Sequence, residues 1–213
     1  MTSVAILGGT FDPVHCGHLR SAVELRELLR FDQVRLLPAH VPPHRTQPLA
    51  TSAQRLQMLQ LAITDEPGLI ADGRELERSG LSYTFDTLTA LRTELGANTA
   101  LSLIVGMDAF AELHTWHRWR ELLDVANIVV MARPGSTLPT HGEVAELLQR
   151  HRVETDALHE SDRGVIAVVE LTPLPISATA IRALIRSEKS PRYLLPDSVW
   201  QFVREHDLYR AAP

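Results

Sequence analysis

Short apolar runs alternate along the chain with longer segments whose apolar residues recur at helical spacing. Val4-Ala5-Ile6-Leu7, Val34-Arg35-Leu36-Leu37, Leu101-Ser102-Leu103-Ile104-Val105, Asn127 to Met131 and Val165 to Val169 read as strands, with Leu69-Ile70-Ala71 as a short one. Leu19, Ala22, Val23 and Leu29 share one face of a helix that begins near Gly17. Leu56, Leu59 and Ile63 share a face of a second helix, with Ser52 as its expected cap. Phe85, Leu88, Leu91 and Leu95 mark a third, stopped by Gly96. Ile181, Leu184 and Ile185, then Val199, Phe202 and Val203, mark two more. Several strands are apolar without alternation, which suits strands covered on both faces. The expected fold class is therefore α/β, a mostly parallel sheet between helices. The polar stretch from Ser136 to Gly164 reads as a surface insertion or helical excursion, helical only at Val144 to Leu148. A contact in an oligomer is its alternative role.

Ligands of such sheets bind beyond the carboxyl ends of the strands. The residues with the most chemistry follow strands here: Gly8 to His18, Pro38 to Arg45, Gly106 to Trp116, and Arg133.

Charge narrows the function. Lys plus Arg number 21 against 26 Asp plus Glu, a net charge of −5, which argues against a protein built to wrap nucleic acid. No apolar run approaches the ~18 residues that span a bilayer, so no membrane is expected. Met1 to Leu7 carries no basic leader, and a cytoplasmic address is the expectation. Cys16 is the single cysteine of the 213 residues, which excludes an intrachain disulfide and a multi-cysteine zinc site. The length suits one domain with a sizeable core.

Two strings carry the chemistry. The first is Gly8-Gly9-Thr10-Phe11-Asp12-Pro13-Val14-His15-Cys16-Gly17-His18. Paired glycines at a strand end let the backbone turn and a ligand approach. The helix that follows aims its free N–H groups at the loop, an anion site faced by two imidazoles three residues apart. Gly17 between them leaves room for a phosphate. Asp12, His15 and His18 are also spaced by threes, but no further Cys or His cluster completes a metal site, and none is assigned. The second string is Ile176-Ser177-Ala178-Thr179-Ala180-Ile181-Arg182. Ser177 is a good helix cap, and Thr179 and Arg182 lie on one face of the first turns. Hydroxyls, free N–H groups and a guanidinium then converge, which suits a polyphosphate.

The first string resembles the Gly-Gly-(Thr/Ser)-Phe-Asp-Pro-x-His-x-Gly-His signature of the nucleotidylyltransferase superfamily, and the second its Ile-Ser-x-Thr-x-x-Arg signature. The middle of the chain resembles the bacterial nicotinate-nucleotide adenylyltransferases. The matching elements are Val41-Pro42-Pro43-His44-Arg45, Glu75-Leu76 with Ser82-Tyr83-Thr84, Gly106-Met107-Asp108 with Thr115-Trp116, Arg133-Pro134-Gly135, and Asp207-Leu208-Tyr209-Arg210. The resemblance implies a Rossmann-like, doubly wound sheet. It also implies a single domain, residues 1–213, with a core over about 1–175 and a small helical part over about 176–213. The implied substrates are ATP, with Mg²⁺ carried on its phosphates, and nicotinate mononucleotide. The products are deamido-NAD and pyrophosphate, a step of NAD biosynthesis.

The resemblance also assigns roles. His15, His18 and Arg182 are the expected catalytic residues. Gly8, Gly9, Thr10, Phe11, Gly17, Gly106, Asp108, Ser177 and Thr179 are expected on ATP. His44, Arg45, Thr84, Trp116 and His117 are expected on the acceptor, with Trp116 stacked on the ring and backbone N–H groups of Thr84 and His117 on its carboxylate. Ala39-His40 stands where the family often carries Asn before Pro-Pro. Preference for nicotinamide mononucleotide, and a nucleotide-binding regulator without activity, are the competing readings. Sequence leaves a homo-oligomer open.

Overall fold

The structure, a computed structural model, describes residues 2–40, 47–78, 82–133, 135–172 and 174–210. It begins with β1 (Ser3–Gly9), α1 (Cys16–Leu28), β2 (Gln33–Pro38), α2 (Ser52–Ala62) and β3 (Leu69–Ala71). Next come α3 (Thr84–Leu95), β4 (Ala100–Gly106), α4 (Met107–Ala111), and 3₁₀ turns at Leu113–Thr115 and Trp119–Asp124. β5 (Asn127–Ala132), α5 (Glu143–His151), β6 (Arg152–Val153) and a 3₁₀ turn at Thr155–Glu160 follow. β7 (Ile166–Glu170), α6 (Ala178–Arg186) and α7 (Asp197–Glu205) complete the order.

The strands form one sheet in the order β3-β2-β1-β4-β5-β7-β6. Every pair is parallel, a step beyond the mostly parallel sheet expected. The chain winds outward from β1 through β2 to β3, then returns to lay β4 against the other side of β1. That reversal is the Rossmann-like switch point, where neighbouring loops diverge and leave a cleft.

Period-two alternation divides each strand between two cores. Ala5, Leu7, Val34, Leu36, Ile104 and Val129 face one apolar cluster, which they share with Leu25 of α1, Met58 and Leu59 of α2, Ile181 of α6 and Phe202 of α7. Val4, Ile6, Leu101, Leu103, Val105 and Ile128 face the other, with Leu88 and Leu91 of α3, Phe110 of α4 and Leu148 of α5. Both faces are covered, which is why the strands read as unbroken apolar runs.

Two expectations change. Thr51, not Ser52, caps α2: its hydroxyl accepts from the Gln54 N–H while the Gln54 side chain accepts from the Thr51 N–H. The reciprocal pair satisfies two free donors of the first turn. The 136–164 stretch is also more than an excursion. It supplies α5 and then β6, whose Arg152 and Val153 pair with Ile166 and Ala167, and it buries Val144, Leu148 and Leu158. Two residues are too few for a strand to show in a hydropathy pattern.

At the amino ends of the strands, Arg92 donates to the carbonyls of Gly96, Thr99, Val125 and Asp162. Asn127 donates to Ser161 and accepts from the Val165 N–H. Backbone that would be orphaned there is satisfied without ligand, and the opposite end is left for chemistry. Among the described residues no helix is long and apolar enough to cross a membrane.

Candidate active site

A cavity of about 1240 Å³ opens at the carboxyl ends of the central strands. Gly8 and Gly9 of β1, Gly106 at the end of β4, and Met131 and Ala132 of β5 contribute to it, together with the starts of α1 and α6. The glycines have different duties. A Cβ on Gly8 or on Gly106 would meet nothing within 4 Å, so these positions keep open space for a ligand. A Cβ on Gly9 would come within 2.9 Å of the buried Phe11 ring. The turn itself belongs to neither glycine. Phe11 carries the left-handed backbone, at φ 50°, and its ring plugs the space that Gly9 leaves.

His15 caps α1 by position and is buried, while His18 is half-buried one turn on. Their rings stack, with centroids 3.7 Å apart and planes 20° from parallel, and Phe11 meets His18 edge-on at 5.0 Å. Gly17, expected to clear room for phosphate, lines the cavity and also makes room for protein. A Cβ on it would lie 3.0 Å from the His15 ring and 3.5 Å from Ile176, so a side chain there would push the stack apart. Burial holds His15 down at a pKa of about 4, against a weaker opposing hydrogen bond to its own backbone, so the ring is neutral near pH 7.

Across the cavity, Ser177 caps α6 by accepting from the Ala180 N–H at 3.2 Å. Thr179 and Arg182 share a face as expected, joined by a 3.3 Å bond from the guanidinium to the hydroxyl. The other arm of Arg182 donates to the Asp12 carbonyl at 2.6 Å. Every residue expected at the catalytic centre and on ATP therefore lines this one cavity: Gly8, Gly9, Thr10, Phe11, His15, Gly17, His18, Gly106, Asp108, Ser177, Thr179 and Arg182. Arg133 and Arg186 line it too, exposed, and their side chains make no ion pair among the described residues.

The acceptor residues are arranged differently. Thr84 opens α3, whose first turn carries no side-chain cap. Trp116 is half-buried against the second apolar cluster, and the exposed His117 packs on Tyr83 with centroids 4.4 Å apart. None of Thr84, Trp116 and His117 lines the cavity, and His44 and Arg45 lie outside the described residues.

Beneath the cavity lies a polar knot. The buried Asp12 carboxylate accepts from the N–H groups of Leu49 and Ala50 and from the Tyr209 hydroxyl, at 2.8, 3.1 and 2.7 Å. Arg55 of α2, 1% exposed, donates to the Thr10 and His40 carbonyls and to Ser52.

The family model for cytidylyltransferase-like proteins matches residues 6–184. A protein of Cellvibrio japonicus named as a probable nicotinate-nucleotide adenylyltransferase is 50% identical over 210 residues, 98% of this chain and 99% of that one. Its namesake in Aeromonas hydrophila is 50% identical over 98% of both chains. The chain belongs to the nicotinate-nucleotide adenylyltransferases, within the cytidylyltransferase-like family. A solved Plasmodium falciparum nicotinic acid mononucleotide adenylyltransferase, complexed with NaAD, shares the fold with a TM-score of 0.72 at 15% identity, covering 98% of each chain.

In this chain, pattern reading passes over Arg55 and Tyr209 as site residues and gives Asp12 no role of its own. A signal for Arg55 does exist. It stands three and four residues before Met58 and Leu59, so helical spacing places its guanidinium stem on the buried face of α2. A charge held there must find carbonyls or an anion. Tyr209 offers no local signal, because its partner is 197 positions away.

Proposed function

We propose that the protein transfers the adenylyl group of ATP to nicotinate mononucleotide, releasing pyrophosphate and forming deamido-NAD. The observation that carries this reading is the single cavity shared by the His15–His18 stack and by the start of α6 with Thr179 and Arg182. A phosphate oxygen of the mononucleotide attacks the α-phosphorus of ATP in line. The new P–O bond forms as the bond to the bridging oxygen breaks, and pyrophosphate leaves. No side chain is the nucleophile, so the protein works by positioning and by stabilising charge on the phosphate oxygens.

His18 is assigned to the reacting centre, with neutral His15 as the ring it leans on and as a further hydrogen-bonding group. Arg182, Thr179 and the free N–H groups of α6 take the leaving pyrophosphate. Gly8 and Gly106 give the nucleotide its floor. The uncapped first turn of α3 supports a site for the nicotinate carboxylate at Thr84, with Trp116 on the ring and His117 beside it. His44 and Arg45 are assigned to phosphate. We assign 1–213 to one nucleotidyltransferase domain, in which the part after about residue 176 closes one wall of the cleft.

Mg²⁺ fits best as a passenger on the triphosphate. Among the described residues no group of three or more His, Cys, Asp or Glu could hold an ion, and the Asp12 carboxylate is already occupied by three donors. Asp108, exposed at the cavity, is the carboxylate that would face it. Bound there, the ion would offset negative charge on the phosphate oxygens.

The test is pyrophosphate release from ATP and Mg²⁺ with nicotinate mononucleotide, run beside nicotinamide mononucleotide. Faster turnover of the acid is expected. Faster turnover of the amide would overturn the choice of acceptor, and tight ATP binding without release would overturn the reaction.

A further inference from the structure

The knot beneath the cavity has a charge arrangement that the phosphate site depends on. Asp12 and Arg182 are close enough to pair, yet the guanidinium stands 4.0 Å from the carboxylate and bonds the neutral Asp12 carbonyl instead. Three neutral donors hold the carboxylate in place, and its ion pair with Arg182 stays long. Leu49 N–H occupies Oδ2, the oxygen nearest Arg182, while Ala50 N–H and the Tyr209 hydroxyl share Oδ1 and fix the other side of the carboxylate. Two of those donors belong to the backbone. The third comes from near the far end of the chain, and the Tyr209 ring is itself 6% exposed.

We propose that Tyr209 is a positioning residue for the triphosphate site: its hydroxyl holds the Asp12 carboxylate off Arg182, so that the guanidinium charge is left for ATP. The reasoning is electrostatic. A charge pair that closes in a partly buried site directs its field inward, and less remains for a third charge nearby. A hydroxyl satisfies the carboxylate without bringing a competing cation. It also ties Thr10–Asp12, the segment at residues 49–50 and the chain after α7 to one point. A misplacement of about 1 Å in such a segment can cost a reaction ~100-fold.

The proposal rests on the reading of the cavity as a triphosphate site, and its test separates the two. Tyr209→Phe keeps the ring and removes the hydroxyl. ATP affinity is measured by calorimetry with no acceptor present, and pyrophosphate release with nicotinate mononucleotide is measured in parallel, in wild type, Tyr209→Phe, Arg182→Lys and the double variant. The expected result is about 10-fold weaker ATP binding in Tyr209→Phe, the size of one hydrogen bond to a charged group, with KM for nicotinate mononucleotide unchanged. In the Arg182→Lys background the same substitution is expected to have less than about half that effect on a logarithmic scale, because both act through one guanidinium. Unchanged ATP affinity in Tyr209→Phe overturns the proposal, and so do factors that simply multiply in the double variant. A wild-type protein that releases no pyrophosphate while Tyr209→Phe still loses ATP affinity would overturn the proposed reaction and support the positioning role.

Discussion

The two ends of the proposed reaction are built in different ways. The donor end is made of strand termini and the first turns of α1 and α6, and its residues line one cavity. Of the residues proposed for the acceptor, those described, Thr84, Trp116 and His117, sit at the start of α3 and in the turns after α4 and do not line that cavity. Parallel register fixes where strand ends lie, and the helices that follow inherit that placement. The acceptor end is placed instead by local packing, such as Tyr83 against His117 and Arg118 over the Phe85 ring at 3.7 Å. A sheet of this kind gives a nucleotide site its geometry, while acceptor identity is left to segments that pack one contact at a time.

The sharpest way to break that contrast is at the donor end. His18→Ala is expected to lower kcat by about 100- to 1000-fold, the range for losing one donor at a developing charge, with the melting temperature little changed. Activity that survives would show that the stack is only structural. The donor end also holds a buried imidazole, His15, which makes the fold sensitive to acid. His15 binds a proton in the unfolded chain near the usual pKa of ~6.5 but in the folded protein only near 4, so protonation favours unfolding. Stability is therefore complete above about pH 6.5 and declines as the pH falls toward 4, by up to about 3 kcal/mol. Denaturant titrations across that window would show the decline, and His15→Asn should flatten it.

The glycines separate ligand space from protein packing. Gly9→Ala, forced against Phe11, is expected to cost about 1 to 3 kcal/mol of stability in chemical denaturation. Gly8→Val should leave that stability alone and weaken ATP binding by about 10-fold or more, because its side chain projects into open cavity. At the acceptor end, Trp116→Ala is expected to raise KM for nicotinate mononucleotide about 10-fold, the scale of one stacking contact, while KM for ATP stays put. Equal loss of both affinities would place Trp116 with the structural core it partly packs against.

What can be read from the residues alone follows the same divide. The strands, the α1 and α6 starts and the cavity-lining residues are legible because each is a local pattern: an apolar run, a glycine, a capping serine, an arginine one turn on. Two things hide from that reading. β6 is too short to leave a periodic trace and shows only as pairing with β7. The Asp12–Tyr209 bond joins residues from opposite ends of the chain, and no spacing rule reaches that far. The resemblance points to Asp207-Leu208-Tyr209 without saying what the tyrosine touches. Gly17 also has a steric duty that its spacing does not suggest, because the His15 ring packs against it.

Arg133 and Arg186 have one more consequence. The molecule carries a net charge of −5, the same sign as the nucleotide it would capture, yet these two cations stand at the cavity without an ion pair among the described residues. A concave, low-dielectric surface concentrates such a field outward over about a Debye length, ~10 Å at 0.1 M ionic strength. Encounter with ATP is thus governed by the few charges at the mouth and not by the total, and added salt should slow the association rate even though the two bodies repel at a distance.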